Sequence, residues 1–589
     1  MIPFQLIIDP YSIKIEVFEG DSLLDPIMAL NPEINVSCGG LGTCGKCLIQ
    51  NLSTESSLSD ITEKEKEILT EEEIYQGYRL ACQCKIQGNS YIRLTEKILG
   101  KPYKKAQIMI TQNEGLIKKP IIKRMRKKGK NVEIEYGIAF DLGTTTIVGY
   151  LVNLQLGEIL SIDSMFNPQI TIGEDVISRI AFAEKSKENT TKIQLLVKSA
   201  FNRIISNLLN HQKFEGKNIT EIVIVGNTAM LHLFYALPVN TLGRSPYIPA
   251  ISDAIWRKNN EIMLDLITPV TQIYSPPIIA GFVGADTVAD ILAIRQDQYT
   301  TNILMVDIGT NGEMTLGNGQ TGILAASVAA GPAFEGAQIT FGMRGETGAI
   351  ERLKINPQTL IPEINVIGNT SPIGLCGSGI IDIVAEMLRS KIITRSGNFN
   401  KIFKDNDAYP RIRKGKSGHE YIIHSSTYPA KFKFESTDPI DFSQKNFEIY
   451  ITQGDIREIQ KAKGAFLSGA LVLLKEKSQT TNDIDQILIA GAFGSYLHKE
   501  NAKFIGLIPE IQLERIHQLG NAAGAGAVKL ILNEDLKSEV NNIANNVKYI
   551  ELATSPNFSQ IFTESMIFPH KNLNLFPSLK SEYQDLPYR

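Results

Sequence analysis

Three cysteines lie in one glycine-rich run, Cys38-Gly-Gly-Leu-Gly-Thr-Cys44-Gly-Lys-Cys47, and two more follow in Arg79-Leu-Ala-Cys82-Gln-Cys84. Thiolate sulfur is a soft ligand, and four thiolates close around the two irons of a [2Fe–2S] cluster. Gly39, Gly40, Gly42 and Gly45 let the backbone take positive φ, wrap closely and turn N–H groups toward sulfur. The first gap is one residue longer than in the plant-type C-x4-C-x2-C pattern. By residue type, either Cys82 or Cys84 supplies the fourth thiolate. A zinc site usually pairs two short gaps, and only Cys44/Cys47 has the two-residue spacing. Disulfides are not expected, because the first residues do not read as a secretory signal.

A second set of residues suits phosphate chemistry. Tyr136-Gly-Ile-Ala-Phe-Asp141-Leu-Gly143-Thr144-Thr145-Thr146 is an apolar strand ending in Asp-x-Gly-Thr, and Ile303 to Glu313 repeats it with Asp307, Gly309, Thr310, Asn311 and Glu313. A carboxylate at a strand end holds Mg²⁺, usually through water, while turn amides and threonine hydroxyls cradle phosphate oxygens. One such turn is a weak signal; two at matching places can grip a polyphosphate from both sides. Each is followed later by an apolar strand ending in glycine, at Gly226 and at Gly491 with Gly494. Gly377, Ser378 and Gly379 open a helical pattern and either donate N–H groups to a phosphate or serve helix packing.

These sites need elements to hold them. Residues 4–8 and 12–18 alternate around Asp9-Pro10-Tyr11, as a β-hairpin does. Ser59 to Glu63 predicts a helix start with Asp60 as cap and Glu63 at its third position. That helix is acidic, either a solvated face or a docking surface for a basic redox partner. Residues 101–130 carry eleven Lys/Arg against one Glu and predict a linker. Helical patterns at 173–186, 190–211, 377–390 and 454–476 fall between the repeated strands, so two related α/β halves should face a cleft. At 589 residues the chain exceeds one core, and 43% hydrophobic content with a net charge of -3 argues against nucleic-acid binding. No run approaches the ~20 apolar residues of a membrane span, and a soluble, cytoplasmic protein is expected. The histidines, His232 included, show no ligand spacing, and Cys376 reads as packing.

With these residues in view, residues 1–97 resemble the adrenodoxin-like or bacterial branch of [2Fe–2S] ferredoxins, in which the last ligand follows Arg-Leu. The resemblance implies a β-grasp domain with Cys38, Cys44, Cys47 and Cys82 as ligands and Cys84 in reserve. Residues 98–134 form the basic linker. Residues 135–570 resemble the acetate-kinase, sugar-kinase, chaperone and actin superfamily, an α/β, two-lobed, RNase H-like ATPase. It implies lobe I over 135–300 and lobe II over 301–570, an irregular polar insertion near 395–450, and a tail at 571–589. Carried over by motif, Asp141 and Asp307 are the catalytic carboxylates. Gly143, Thr144 and Thr145 fall in the first phosphate turn, Gly309, Thr310, Asn311 and Glu313 in the second, and Gly491 and Gly494 in the adenosine motif. Asn521-Ala-Ala-Gly524-Ala-Gly526 matches a small-residue connector at the hinge.

A ferredoxin module ahead of such an ATPase resembles the reductive activators of corrinoid proteins, with Ala329-Ala-Gly-Pro332-Ala-Phe-Glu335-Gly336 and Gly374-Leu-Cys-Gly377-Ser-Gly379 as further marks. The resemblance implies one-electron reduction of Co(II) to Co(I) in a corrinoid protein that serves methyl transfer. ATP and Mg²⁺ drive the step, and a low-potential ferredoxin or flavodoxin is the donor. A middle domain that makes a dimer in many such proteins is expected to be missing, which leaves the oligomeric state open. An activator of 2-hydroxyacyl-CoA dehydratases would need two cysteines in its ATPase part, where Cys376 stands alone. A metabolite kinase has no use for an iron–sulfur module, and a nucleotide-sensing redox scaffold is the remaining rival.

Overall fold

The computed structural model describes residues 3–9, 13–30, 42, 45, 47–53, 57–95, 98, 135–173, 175–212, 214–309, 311–336, 338–403, 406, 408–416, 418–432, 448–491 and 497–588. Cys38, Cys44, Thr310, Gly494 and residues 99–134 of the expected linker lie outside these.

Strands β1 (Pro3–Asp9), β2 (Ile13–Phe18), β3 (Leu48–Asn51), β4 (Tyr78–Leu80) and β5 (Ser90–Leu94) form a sheet in the order β2-β1-β5-β3-β4. β1 and β2 make the expected hairpin, and β1 runs parallel to β5. Alternation sends Leu6, Ile8, Ile49, Leu80 and Ile92 inward, where Leu24 and Ile27 of the helix Leu24–Leu30 cover them. The acidic helix begins two residues later than expected: Thr62, not Asp60, caps Glu63–Ile68, and Glu65, not Glu63, closes the capping box. Both registers read S/T/D-x-x-E, and the tertiary structure selects the one that buries Glu65 against Arg79.

The repeated halves appear as two like sheets. β6 (Tyr136–Leu142), β7 (Thr146–Asn153), β8 (Glu158–Phe166), β9 (Ile219–Gly226), β10 (Ile255–Lys258) and β11 (Gln272–Ser275) run in the order β10-β11-β9-β6-β7-β8. β12 (Ile303–Ile308), β13 (Gly312–Asn318) and β14 (Gly322–Val328) begin the second sheet. It is completed by strands beyond a long insertion. The insertion contains β15 (Ala349–Ile355), β16 (Pro362–Val366), β17 (Gly374–Leu375), β18 (Ile412–Gly415), β19 (Gly418–Ser425), β20 (Lys431–Phe432) and β21 (Glu448–Thr452). Then come β22 (Gln486–Ala490), β23 (Ile516–Gly520) and β24 (Val547–Tyr549), giving β23-β22-β12-β13-β14-β24. In each sheet an antiparallel hairpin, β6/β7 or β12/β13, lies beside a parallel strand, β9 or β22. Both Asp-x-Gly-Thr runs therefore sit at the turn of a hairpin and beside the end of a parallel strand.

The helices Ala285–Ile294 and Ala522–Leu532 cross between the sheets. A Cβ at Gly526 would collide with the Ala289 carbonyl, so glycine there lets the two helices close up, and one at Gly524 would lie 2.6 Å from the Tyr150 hydroxyl, so glycine there lets the helix pack on β7. The expectation of an irregular 395–450 is corrected: β18, β19 and β21 form a sheet that buries Tyr421, Ile422, Ile423, Ile449 and Ile451. Their alternation is short and flanked by polar turns, which hid it. Residues at the C-terminus dock on the second lobe, with Tyr583 buried and its hydroxyl donating to the Phe504 carbonyl at 2.7 Å. Among the described residues no helix is long and apolar enough to cross a membrane.

Candidate functional site

At the first site, Cys47 stands just before β3 and Cys82 lies in the 3₁₀ turn Ala81–Gln83 that follows β4. Pairing of β3 with β4, continued by the Ala81 N–H to Cys47 carbonyl bond at 2.9 Å, brings the two sulfurs to 3.2 Å. Cys84 points the other way: its Sγ lies 3.3 Å from the Leu80 carbonyl and 3.8 Å from Glu65 Oε1, and burial pushes its thiol far up. Arg79 explains the Arg-Leu before Cys82. Its Nε and Nη2 donate to Glu65 Oε1 and Oε2 at 2.9 and 3.0 Å, and its other donors reach the Ser59 and Asp60 carbonyls. Leu80 N–H also donates to Glu65 Oε1 at 3.0 Å. Burial alone would raise the Glu65 carboxyl, but the bonds from Arg79, Thr62 and Leu80 outweigh it and hold it below the ordinary range. The pair pins β4, and with it the turn carrying Cys82, to the capped helix.

At the second site the turn after β6 and the end of β12 lie near enough for the charge of Asp307 to act on Asp141. Gly143 N–H donates to the Thr146 carbonyl at 3.0 Å, and a Cβ at Gly143 would stand 2.6 Å from that oxygen. Asn227 donates to Thr144 Oγ1 at 2.8 Å, and Asn167 braces the turn through the Gly143 carbonyl at 2.9 Å and, by its own N–H, the Thr145 carbonyl at 2.9 Å. In the second turn Gly309 N–H donates to the Asn311 carbonyl at 3.2 Å. Gly491, at the end of β22, has φ +91, and a Cβ there would lie 2.6 Å from Asp307 Oδ1.

The cleft floor is strongly acidic. Burial pushes Asp141 up to about 7, against a bond from Asn521 and with the charges of Asp307 and Asp286 adding to the rise. Burial, then Asp286, pushes Asp307 up to about 7, and burial pushes Asp286 up to about 6. Asp290 and Glu313 rise well above the ordinary range for the same reasons. Among the described residues neither oxygen of Asp290 meets a hydrogen-bond partner, although the residue is fully buried. Carboxyls gathered this way repel one another when ionised, which adds to the upward shifts. Among the described residues no three acidic, His or Cys groups converge closely enough to ligate a metal directly.

Asp141, Gly143, Thr144, Thr145, Asp307, Gly309, Asn311, Glu313 and Gly491 thus belong to one cleft. Gly377, Ser378 and Gly379 are buried, and a side chain at Gly379 would strike the Ile350 carbonyl, so Gly379 seats the helix Gly377–Arg389 on β15. Cys376 is buried, with Sγ 3.4 Å from the Ile350 carbonyl, as packing predicts. The sequence reading missed Asp286 and Asp290. Their signal was an acid pair one helical turn apart on the otherwise apolar helix Ala285–Ile294. Asn167 and Asn227 were missed as well, and nothing local distinguishes them from ordinary caps.

A thiol site on a β-grasp domain, ahead of a cleft between two like sheets, defines a redox protein joined to a two-lobed ATPase. Residues 301–580 match the C-terminal, ASKHA domain of RACo, residues 136–299 the RACo middle region, and residues 6–87 a 2Fe-2S iron-sulfur cluster binding domain. The corrinoid activation enzyme RamQ of Eubacterium limosum is 32% identical over 602 residues, covering 94% of this chain and 97% of its own. The Co(II) methylated amine-specific corrinoid protein reductase of Methanosarcina barkeri is 25% identical over 469 residues, covering 72% of this chain and 76% of its own. A solved reductive activator for corrinoid, iron-sulfur protein superposes with a TM-score of 0.68 at 28% identity, over 98% of this chain and 100% of that one. The chain belongs to the RACo family of corrinoid-activating enzymes. The family's middle region coincides with residues 136–299, the unit that carries the first of the two like sheets. This corrects the expectation that a middle region is missing.

Proposed function

We propose that this chain reactivates a corrinoid protein whose cobalt has been oxidised to Co(II), passing it one electron to restore Co(I) for methyl transfer at the expense of ATP. The observation that supports this most is the match to a corrinoid activation enzyme over nearly the whole of both chains. Cys38, Cys44, Cys47 and Cys82 are the proposed ligands of the [2Fe–2S] cluster, which when bound stores and releases a single electron. The convergence of Cys47 with Cys82, and the inward turn of Cys84, favour this set.

In the cleft, Asp141 and Asp307 would hold Mg²⁺, and the turns at Gly143–Thr145 and Gly309–Asn311 would take the phosphates. Glu313, Asp286 and Asp290 supply the negative field behind them. Electron flow follows the difference in potential, and reducing Co(II) to Co(I) is uphill from a cluster of this type. Nucleotide closes the two lobes on one another and biases the complex in which cobalt accepts the electron. The donor is a low-potential ferredoxin or flavodoxin, and the site of action is cytoplasmic.

The test mixes, without oxygen, the reconstituted chain, a reduced low-potential donor and a Co(II) corrinoid protein. Appearance of the Co(I) absorption only with Mg·ATP is expected. Equal reduction without nucleotide, or none in any nucleotide state, overturns the proposal.

A further inference from the structure

We propose that the side-chain amide of Gln83 sets the reduction potential of the cluster by donating an N–H bond to the sulfur of Cys82; this rests on the assignment of Cys82 as a ligand. Gln83 ends the 3₁₀ turn Ala81–Gln83 and is half-buried. Its Nε2 lies 3.4 Å from Cys82 Sγ and 3.3 Å from the Cys82 carbonyl oxygen. The two hydrogens of one amide nitrogen can serve these two acceptors.

The amide is also held from the opposite side. Gly42, in the ligand loop, has φ +75, and a Cβ on it would stand 2.7 Å from Gln83 Cδ and 2.8 Å from Nε2. The side chain therefore lies wedged between the loop backbone and the sulfur, and glycine at 42 leaves it the room. That is a built position, unlike an exposed glutamine sampling several rotamers.

Reduction by one electron adds negative charge that the ligand sulfurs share. An N–H donor stabilises the more negative state more strongly, so it raises the potential. The amide does not titrate, and its contribution is therefore the same at all pH values near neutral. A higher potential makes the site easier for the donor to fill and weaker as a reductant of Co(II), which deepens the dependence on nucleotide.

Full-length chain is reconstituted anaerobically with iron and sulfide as wild type, Gln83→Leu and Gln83→Glu, and each is titrated against potential with EPR detection. The midpoint is expected to fall in Gln83→Leu and further in Gln83→Glu, where a carboxylate replaces the donor, with wild-type iron and sulfide content. Normal content with an unmoved or raised midpoint overturns the inference. Should either variant fail to retain the cluster, pulsed EPR of the reduced wild type, labelled with ¹⁵N in glutamine side-chain amides, decides the matter. A nitrogen coupling supports the bond, and its absence removes it. A wild type that shows no [2Fe–2S] spectrum fails differently, because it overturns the cluster assignment itself.

Discussion

Asn521 Nδ2 donates to Asp141 Oδ2 at 2.7 Å across 380 residues of chain, while Asn521 Oδ1 accepts from Gly524 N–H at 2.6 Å. One side chain thus caps the helix Ala522–Leu532 and steadies the carboxylate of the first phosphate turn. The two tasks separate by substitution. Asn521→Ser keeps a cap but cannot reach Asp141, whereas Asn521→Ala loses both. A hydrogen bond to a charged group contributes ~1.5–3 kcal/mol, so Asn521→Ser should lower ATP turnover by about tenfold or more with little change in Tm. Asn521→Ala should show the same kinetic loss and a further stability loss of about 1 kcal/mol from the missing cap. Steady-state hydrolysis and thermal melts read the two effects, and wild-type turnover in Asn521→Ser would show that the link is idle.

The acidic floor makes a pH prediction of definite sign. Asp141 and Asp307 are raised to about 7 and Asp286 to about 6, so the folded chain holds protons that the unfolded chain releases near ~4. More protons bound in the native state means that these carboxyls lower stability as pH rises from about 4 to about 7. The proposed Mg²⁺ would compete with those protons, so its stabilisation should grow with pH across 6 to 7.5, with proton release on binding. Melting curves with and without Mg²⁺, together with calorimetry in buffers of different ionisation enthalpy, measure both. Asp290→Asn should raise the Tm of the metal-free protein at pH 8, because it removes a buried carboxyl with no conventional donor.

The Glu65–Arg79 pair carries a second stability prediction. Breaking a buried pair by removing one charge costs ~3–5 kcal/mol, enough to unfold a marginal domain of this size. Glu65→Gln and Arg79→Met should each lose the cluster on reconstitution. Glu65→Met/Arg79→Met should recover part of the stability, because no charge is then left buried alone. Circular dichroism melts of the three variants check this; a double variant worse than the sum of the singles would contradict it.

Much of this was legible in the residues. The strand ends at Asp141 and Asp307, the glycine at the end of β22 and the approach of Cys47 to Cys82 follow from local chemistry and spacing, because backbone turns constrain nearby residues. What escaped was settled at a distance. The helix at Glu63–Ile68 chose Thr62 over Asp60 because Arg79, from another strand, needed Glu65. Asp286 and Asp290 become part of the site only when the helix Ala285–Ile294 is laid against the end of β12, and no local pattern states that crossing. The strands within 395–450 were hidden because β18 is four residues long and interrupted by polar turns.

The choice between Cys82 and Cys84 is open to direct substitution. Cys84 is buried with its thiol turned to the Leu80 carbonyl, so Cys84→Ser should keep the absorption and EPR of the cluster with a modest loss of stability. Cys82→Ser should lose the native spectrum, since its sulfur is the one beside Cys47. The reverse outcome would move the fourth ligand to Cys84 and require the turn Ala81–Gln83 to rotate on reconstitution.

A substitution at Gly491 tests the proposed nucleotide site apart from the proposed redox site. Its φ of +91 already disfavours any other residue, and a Cβ would press to 2.6 Å from Asp307 Oδ1 and 2.5 Å from the Ile308 carbonyl. Both contacts lie at the second phosphate turn, where backbone cannot yield without moving Asp307. Gly491→Ala should therefore lower ATP turnover by roughly a hundredfold, about 2.7 kcal/mol in barrier. It should leave the cluster spectrum and midpoint unchanged, because the β-grasp domain has its own core. In the coupled assay this variant should reduce Co(II) no faster with ATP than without. Retained ATP stimulation with hydrolysis abolished would assign the driving force to nucleotide binding, and wild-type hydrolysis would show that Gly491 lies outside the working cleft.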